Sequence, residues 1–230
     1  MAYRIEYSLK NYMNTPTKIT FSRIIAIAVM IITLIVFYFI HYFDNSFIIP
    51  CIAGTNINWL YFGLFIFFVL ASFTDFLDGY LARKNNQVTD LGKFLDPVAD
   101  KLLVNSMVIF LIVPAGYAPG QMSWSLWCAI ALVARDIVVD ALRFIAAQKG
   151  VVIGANIFGK AKTVLEMIAV SLVLLNGWPF SYFDANWGFF RIANIFVYLC
   201  TIASLVSGVI YLVKYGYCLK EKKKDESGTN

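Results

Sequence analysis

The chain has 230 residues, of which 60% are hydrophobic and 14% are charged, and its formal net charge is +5. Soluble domains average roughly 45–50% apolar and 25% charged residues, so this composition excludes a soluble globular enzyme. Intrinsic disorder is excluded too, because it requires low hydrophobicity. The composition predicts a protein whose main solvent is lipid, in which a charge inside an apolar run needs a partner or a function.

Six stretches are long and apolar enough to cross a bilayer core, which takes about 20 residues. In chain order they cover residues 19–43, 59–81, 91–114, 124–147, 157–175 and 192–215. Turn and breaker residues separate them. We therefore predict an all-α integral membrane protein with six transmembrane helices. Its predicted parts are a cytoplasmic segment (1–18), a six-helix transmembrane domain (19–218) and a charged cytoplasmic tail (219–230).

The distribution of Lys and Arg predicts the orientation in the membrane. Basic residues flank the N-terminal end of the first span, at Arg4, Lys10, Lys18 and Arg23. Others surround the second and fourth connections and follow the sixth span, whereas the other three connections hold only Arg191. Cytoplasmic loops carry the Lys and Arg excess, so we expect both termini in the cytoplasm. The positive face then favours anionic lipid headgroups. We expect no nucleic-acid partner, because no soluble basic domain exists to bind one.

Four aspartates lie around the second connection. Asp75 and Asp78 are three residues apart, and Asp96 and Asp100 are four apart, so each pair lies on one helix face. The short link between the helices makes them antiparallel neighbours, which places the four carboxylates across one groove. Carboxylates side by side cannot all stay ionised without compensation. Hard divalent cations supply it, and two such ions clamping a phosphoryl group would use this many carboxylates.

Two other interpretations of the aspartates remain open from the residues alone. One is a charge network with Arg83, Lys93 and Lys101 that stabilises helix ends. The other is a cation or proton pathway, because acids within a membrane also mark transporters. The only histidine, His41, lies at the far end of the first span, where we expect an interfacial role without chemistry.

The pattern D-x2-D-G-x2-A-R-x8-G-x3-D-x3-D resembles the signature of the CDP-alcohol phosphotransferase family. All eight of its fixed positions are present, at Asp75, Asp78, Gly79, Ala82, Arg83, Gly92, Asp96 and Asp100. The resemblance implies the family's six-helix fold. It implies that the four aspartates hold one or two divalent ions, Mg²⁺ or Mn²⁺, and that Asp100 is the general base on the acceptor hydroxyl. The residues that would bind the CDP-lipid are Gly79, Ala82, Arg83, Thr89, Gly92 and Thr20.

Further stretches are similar to one branch of that family, the bacterial phosphatidylglycerophosphate synthases. Residues 14–23 resemble their N-x-P-N-x-[LI]-T-x-x-R opening, with Thr17 in place of the usual second Asn. Residues 135–143 resemble their R-E-x5-[LI]-R stretch, with Asp136 in place of Glu. The resemblance implies that CDP-diacylglycerol and glycerol 3-phosphate are substrates, that the protein lies in a bacterial cell membrane and that it forms a homodimer.

Four cations near the fourth connection are candidates for binding the acceptor's phosphate: Arg135, Arg143, Lys160 and Lys162. Arg135 lies inside an apolar run and needs a partner. That partner is either a carboxylate, such as Asp136, Asp140 or a motif aspartate, or a phosphate monoester held by the guanidinium fork. Each lysine is alternatively a solvated charge. A cationic pocket suits glycerol 3-phosphate and excludes choline or ethanolamine, while inositol phosphate remains an alternative acceptor.

Overall fold

The computed structural model describes residues 15–84, 90–113, 116–151, 153–154, 157–184 and 188–219. Within these ranges there are six long helices: α1 (Thr15–Phe43), α2 (Trp59–Lys84), α3 (Asp90–Ile112), α4 (Leu126–Gln148), α5 (Ile157–Leu174) and α6 (Ile192–Tyr215). Shorter helical segments cover Ser181–Asp184, Gly188–Phe190 and Gly216–Leu219. The extended pairing in the described ranges amounts to one isolated bridge, Cys51 to Asn58. The prediction of an all-α chain is confirmed.

Two of the described helices are long and apolar enough to cross a membrane: Thr17–Phe43, with 27 residues, and Ile192–Tyr215, with 24. At 1.5 Å per residue, either one exceeds a hydrocarbon core of about 30 Å. The outward face of α1 carries exposed apolar side chains at helical spacing, at Ile25, Val29, Ile32 and Val36. Large exposed apolar surfaces of this kind mark contact with a membrane or with another protein.

The chain divides into two compact units. The first takes its described residues from Met1–Trp124 and Val170–Asn186, and the second from Ser125–Ala169 and Trp187–Asn230. In the first unit α1 packs against both α2 and α3, and α2 also contacts α3. In the second unit the main packing partners are α4 and α6.

One face of α1 carries the buried side chains described for this helix: Thr17, Thr20, Arg23, Ile27, Met30 and Leu34. Steps of three and four residues are the helical period, which is why these side chains form one stripe. The stripe is polar as far as Arg23 and apolar from Ile27 onward. Its apolar part belongs to the buried core of the first unit, whose other members include Tyr61 and Phe68 of α2 and Leu103 and Met107 of α3.

Asn176 links three connecting segments of the first unit. Its backbone adopts a left-handed conformation with φ 54°, and its side chain is buried. The side-chain oxygen accepts a hydrogen bond from the Met122 N–H at 3.0 Å. The side-chain nitrogen donates to the carbonyl oxygens of Asn56 at 2.8 Å and Gly120 at 3.2 Å. One side chain therefore satisfies backbone groups from two other loops, which holds this end of the unit together.

Candidate active site

The four motif aspartates lie on two contacting helices of the first unit. Asp75 and Asp78 belong to the C-terminal part of α2, and Asp96 and Asp100 to the N-terminal half of α3. The structure describes the side chains of Asp75, Asp96 and Asp100, whereas that of Asp78 lies outside the described side chains. Each pair therefore lies within one helix, as the i,i+3 and i,i+4 spacings predicted.

Asp75 forms an ion pair with Arg23, whose Nη1 atom donates to the Oδ1 atom of the carboxylate. The Arg23 side chain is 3% exposed and that of Asp75 is 37% exposed. A buried guanidinium from α1 thus holds one oxygen of a carboxylate that remains partly accessible. A buried charge requires such a counter-charge, which explains why an arginine is tolerated on the inner face of an apolar helix.

Asp96 accepts a hydrogen bond from Thr20, which lies one turn before Arg23 on α1. The Thr20 Oγ1 atom donates to the Asp96 Oδ1 atom at 2.8 Å, and Thr20 is buried. Helix α1 therefore contacts one carboxylate from each motif pair. Thr20 was predicted to bind the CDP-lipid, and in the structure its hydroxyl is directed at a motif aspartate.

Arg23 had no role in the site predicted from the sequence. Two signals in the sequence could have identified it: the T-x-x-R spacing that ends the opening motif, and a cation at the start of a long apolar run. The spacing was used only for the resemblance of the opening motif, and the cation only to orient the first span. In the structure this charge is paired with a motif aspartate, Asp75.

The described carboxylates are suitable ligands for a hard divalent cation, because Mg²⁺, Mn²⁺ and Ca²⁺ prefer oxygen ligands. Asp75 and Asp96 supply such oxygens, and each is already oriented through one atom by α1. Among the side chains that the structure describes, no group of three His, Cys, Asp or Glu comes together as a metal site. The predicted set of four includes Asp78, so it extends beyond the described side chains.

The residues predicted to bind the CDP-lipid lie mostly around the same helix ends. Gly79, Ala82 and Arg83 are on α2 and Gly92 is on α3, outside the described side chains. Thr89 falls outside the described residues altogether.

The second unit contains a buried charge network. Asp136 of α4 accepts hydrogen bonds from Arg135 Nη1 at 2.9 Å and from Lys162 Nζ at 2.8 Å. Lys162 also pairs with Glu166 at 2.7 Å, one turn further along α5. The four side chains are between 4% and 12% exposed. Two cations thus face two carboxylates, so the formal charges of this network, which we call the α4–α5 charge quartet, cancel.

Arg135 also reaches α6. Its Nε atom donates to the Ser204 carbonyl oxygen at 3.2 Å, and its Nη2 atom donates to the Ser207 hydroxyl at 2.7 Å. Gly208 makes room for it, because a Cβ atom there would lie 2.9 Å from the Cγ atom of Arg135. Of the two partners left open for Arg135 by the sequence, the structure shows a carboxylate, Asp136.

Arg143 lies two turns after Arg135 on α4 and outside the quartet. Its Nη2 atom donates to the Tyr211 hydroxyl at 3.0 Å, and its guanidinium carbon lies 5.2 Å from the centre of that ring. The Tyr211 hydroxyl in turn donates to the Gly154 carbonyl oxygen at 3.1 Å. In the part of the chain that the structure describes, Arg143 has no carboxylate partner, and its buried Nε atom has no hydrogen-bond partner. The fourth predicted cation, Lys160, is exposed.

Known proteins are similar to this chain over most of its length. The model of a family described as CDP-alcohol phosphatidyltransferase matches residues 13–211. A Bacillus subtilis (strain 168) protein named CDP-diacylglycerol--glycerol-3-phosphate 3-phosphatidyltransferase is 39% identical over 210 residues, which cover 90% of this chain and 97% of that protein. A Rickettsia bellii (strain RML369-C) protein of the same name is 32% identical over 200 residues, covering 86% and 93%. One from Mycoplasma pneumoniae (strain ATCC 29342 / M129 / Subtype 1) is 39% identical over 166 residues, 69% of each chain.

Proposed function

Because the chain belongs to the CDP-alcohol phosphatidyltransferase family, we propose that it transfers the phosphatidyl group of CDP-diacylglycerol to sn-glycerol 3-phosphate. The products are phosphatidylglycerol phosphate and CMP. The observation that carries the proposal is the complete aspartate motif on the contacting helices α2 and α3, in a chain that aligns along 97% of a relative named for this reaction.

In the proposed reaction a hydroxyl oxygen of glycerol 3-phosphate attacks the phosphorus of the phosphatidyl group. A new P–O bond forms, the bond to the bridging pyrophosphate oxygen breaks, and CMP leaves with that oxygen. Asp100 takes the hydroxyl proton as general base, a role that requires hydrogen-bond reach to the acceptor. A general base of this kind contributes roughly 10²–10⁴-fold to the rate.

The four aspartates Asp75, Asp78, Asp96 and Asp100 would hold one or two divalent ions, Mg²⁺ or Mn²⁺. Such an ion, when bound, neutralises the negative charge that develops on the leaving pyrophosphate oxygen. The family generally depends on a divalent cation. The oxygen-only donors of the described carboxylates support Mg²⁺ or Mn²⁺ over zinc, which takes mainly nitrogen and sulfur ligands.

The CDP-lipid is proposed to bind along the same two helices. Gly79, Ala82 and Gly92 are small residues, which would let the nucleotide approach the helix backbones. Arg83 and Thr89 provide donors for its phosphates. The Thr20 hydroxyl is engaged by Asp96, so its effect on lipid binding would act through that carboxylate.

For the acceptor's phosphate we propose Arg143 as the principal ligand, assisted by Lys160. The charge of Arg143 is not balanced by a described carboxylate, and a guanidinium can bind a phosphate through two parallel hydrogen bonds. Arg135 and Lys162, also predicted from the sequence, are neutralised within the α4–α5 charge quartet. Their proposed contribution is to hold α4, α5 and α6 in place around Arg143.

In the membrane, the six long helices are proposed as the six spans. Each coincides with one of the apolar stretches in the sequence. The charges within α2 to α5 that are assigned to the metal, to the acceptor or to the α4–α5 charge quartet do not oppose this assignment, because each has a function or a partner. The Lys and Arg distribution supports cytoplasmic termini, and the CDP-lipid would enter from the cytoplasmic leaflet.

The proposal is tested by measuring CMP release from CDP-diacylglycerol by the purified protein with each candidate acceptor. We expect release with glycerol 3-phosphate and none with inositol phosphate or without acceptor. Release with inositol phosphate alone would contradict the acceptor and leave the family reaction intact. Ion flux through the reconstituted protein in the absence of CDP-lipid, without CMP release, would favour a transporter instead.

A further inference from the structure

Helix α1 presents a short polar surface to the aspartate motif. Thr17, Thr20 and Arg23 are the polar members of its buried stripe, and the same stripe is apolar from Ile27 onward. Their spacing of three residues places them on one side of the helix over two turns. A buried polar side chain costs free energy unless it is hydrogen-bonded, so this surface requires partners from the neighbouring helices.

Two of those partners are motif carboxylates that belong to different helices. Thr20 donates to Asp96 of α3, and Arg23 donates to Asp75 of α2. Residues three apart on a helix have Cβ atoms about 5–6 Å from each other. Two carboxylates that are distant in sequence are thereby fixed at two points one turn apart on a third helix.

We infer that α1 positions the carboxylates of the proposed metal site, with Thr20 and Arg23 as positioning residues for Asp96 and Asp75. This inference rests on the proposed function, because it assigns those aspartates to a divalent cation. A carboxylate already held by a hydrogen bond loses less side-chain freedom when it binds a cation. Removal of partners that orient metal ligands typically costs 10–100-fold in metal affinity or activity.

The exposures of the paired side chains support positioning over simple packing. Arg23 is 3% exposed, whereas the Asp75 side chain is 37% exposed. A pair that only filled the core would bury both side chains. Here the Arg23 side chain is buried, and the Asp75 carboxylate that it binds remains accessible to a ligand.

The test compares variants that keep the charge of α1 constant. Thr20→Val retains the shape of threonine and removes the donor, and Thr20→Ser retains the donor. Arg23→Lys keeps the cation and replaces the planar, rigid donor group that holds the Asp75 Oδ1 atom with a point charge on a flexible stem. Ser22→Ala is the matched control, because Ser22 is an exposed neighbour whose hydroxyl bonds only within α1, to the Ile19 carbonyl oxygen at 2.8 Å.

The readout is the affinity of the purified full-length protein for Mn²⁺ in the presence of CMP, measured by electron paramagnetic resonance of free Mn²⁺. We expect Thr20→Val and Arg23→Lys to weaken Mn²⁺ binding about 10-fold or more. Thr20→Ser and Ser22→Ala should bind as the wild type does. Excess Mn²⁺ should restore turnover of the weakened variants, which it cannot do for an unfolded protein.

Unchanged Mn²⁺ affinity in Thr20→Val and Arg23→Lys would overturn the inference and leave the proposed reaction standing. So would a loss of turnover that excess Mn²⁺ does not restore. A wild-type protein that binds no Mn²⁺ would overturn both the metal assignment and the inference. Weakened Mn²⁺ binding in a protein that uses another acceptor would support the inference while contradicting the proposed acceptor.

Discussion

Asp100 is the residue on which the proposed chemistry depends most directly. It lies four residues after Asp96 on α3, so the two carboxylates share a helix face. We predict that Asp100→Asn lowers turnover at least ~100-fold, because asparagine cannot accept the hydroxyl proton. Binding of the CDP-lipid should stay measurable, since three aspartates remain. CMP release and CDP-lipid binding, measured on the same preparation, test this.

Asp44→Asn is the matched control for that variant. Asp44 is exposed after the end of α1, where hydrogen bonds from Ser46 lower the pKa of its carboxyl group. Its replacement should leave turnover unchanged. Full activity of the Asp100→Asn variant would contradict the assignment of Asp100 as the general base.

Two arginines on α4 are chemically alike and are predicted to act differently. Arg143→Lys should raise the KM for glycerol 3-phosphate about tenfold, because a lysine cannot form two parallel hydrogen bonds to a phosphate. Arg135→Lys should instead lower the unfolding temperature and leave this KM near its wild-type value, because Arg135 bonds Asp136, Ser204 and Ser207. Steady-state kinetics and thermal unfolding of both variants separate the roles. A raised KM in Arg135→Lys, with an unchanged KM in Arg143→Lys, would instead indicate that Arg135 binds the acceptor's phosphate.

At the scale of the element, the contact between α4 and α6 depends on a residue without a side chain. Gly208→Ala would place a Cβ atom 2.9 Å from the Arg135 Cγ atom, whose guanidinium is held by several hydrogen bonds. We expect a loss of about 1–3 kcal/mol in the free energy of unfolding, the usual cost of overpacking. Gly63→Ala in α2 is the control, since nothing lies within 4 Å of the position that its Cβ atom would take. Equal unfolding temperatures for the two variants would contradict this packing.

The connecting segments of the first unit depend on Asn176 in a similar way. Asn176→Ala leaves the Met122 N–H and the carbonyl oxygens of Asn56 and Gly120 without this partner. We expect a destabilisation of about 1–3 kcal/mol, because unsatisfied buried polar groups carry their desolvation penalty. Thermal unfolding in detergent measures it. Asn45→Ala, at an exposed turn, should have no effect, and a similar loss there would show that the amide contacts are not the cause.

At the scale of the whole molecule, the metal is predicted to be needed for catalysis and not for folding. Removal of divalent ions by EDTA should abolish CMP release, and Mg²⁺ or Mn²⁺ should restore it. The helices should stay folded, because Arg23 and Thr20 still hold Asp75 and Asp96 when no ion is bound. Circular dichroism during chelation checks this. Activity that is insensitive to EDTA would instead support a purely structural role for the aspartates.

Much of this protein could be predicted from local patterns. The composition required lipid as the main solvent, and the long apolar stretches coincide with the six long helices. The spacing of the aspartates placed each pair on one helix face. Such features depend on residues within one or two turns of each other, and the helical period then determines their arrangement.

Only the tertiary structure decided which charges are paired. Thr20 and Asp96 are 76 residues apart, Arg23 and Asp75 are 52 apart, and Lys162 and Asp136 are 26 apart. From sequence, Lys162 and Arg143 were equivalent cations, and Arg23 served only for the orientation and for the resemblance of the opening motif. Pairing between helices depends on which faces pack together, and no local period specifies that. In the packed structure Arg23 pairs with Asp75, and Lys162 pairs with Asp136 and Glu166. Arg143 has no carboxylate partner among the described residues.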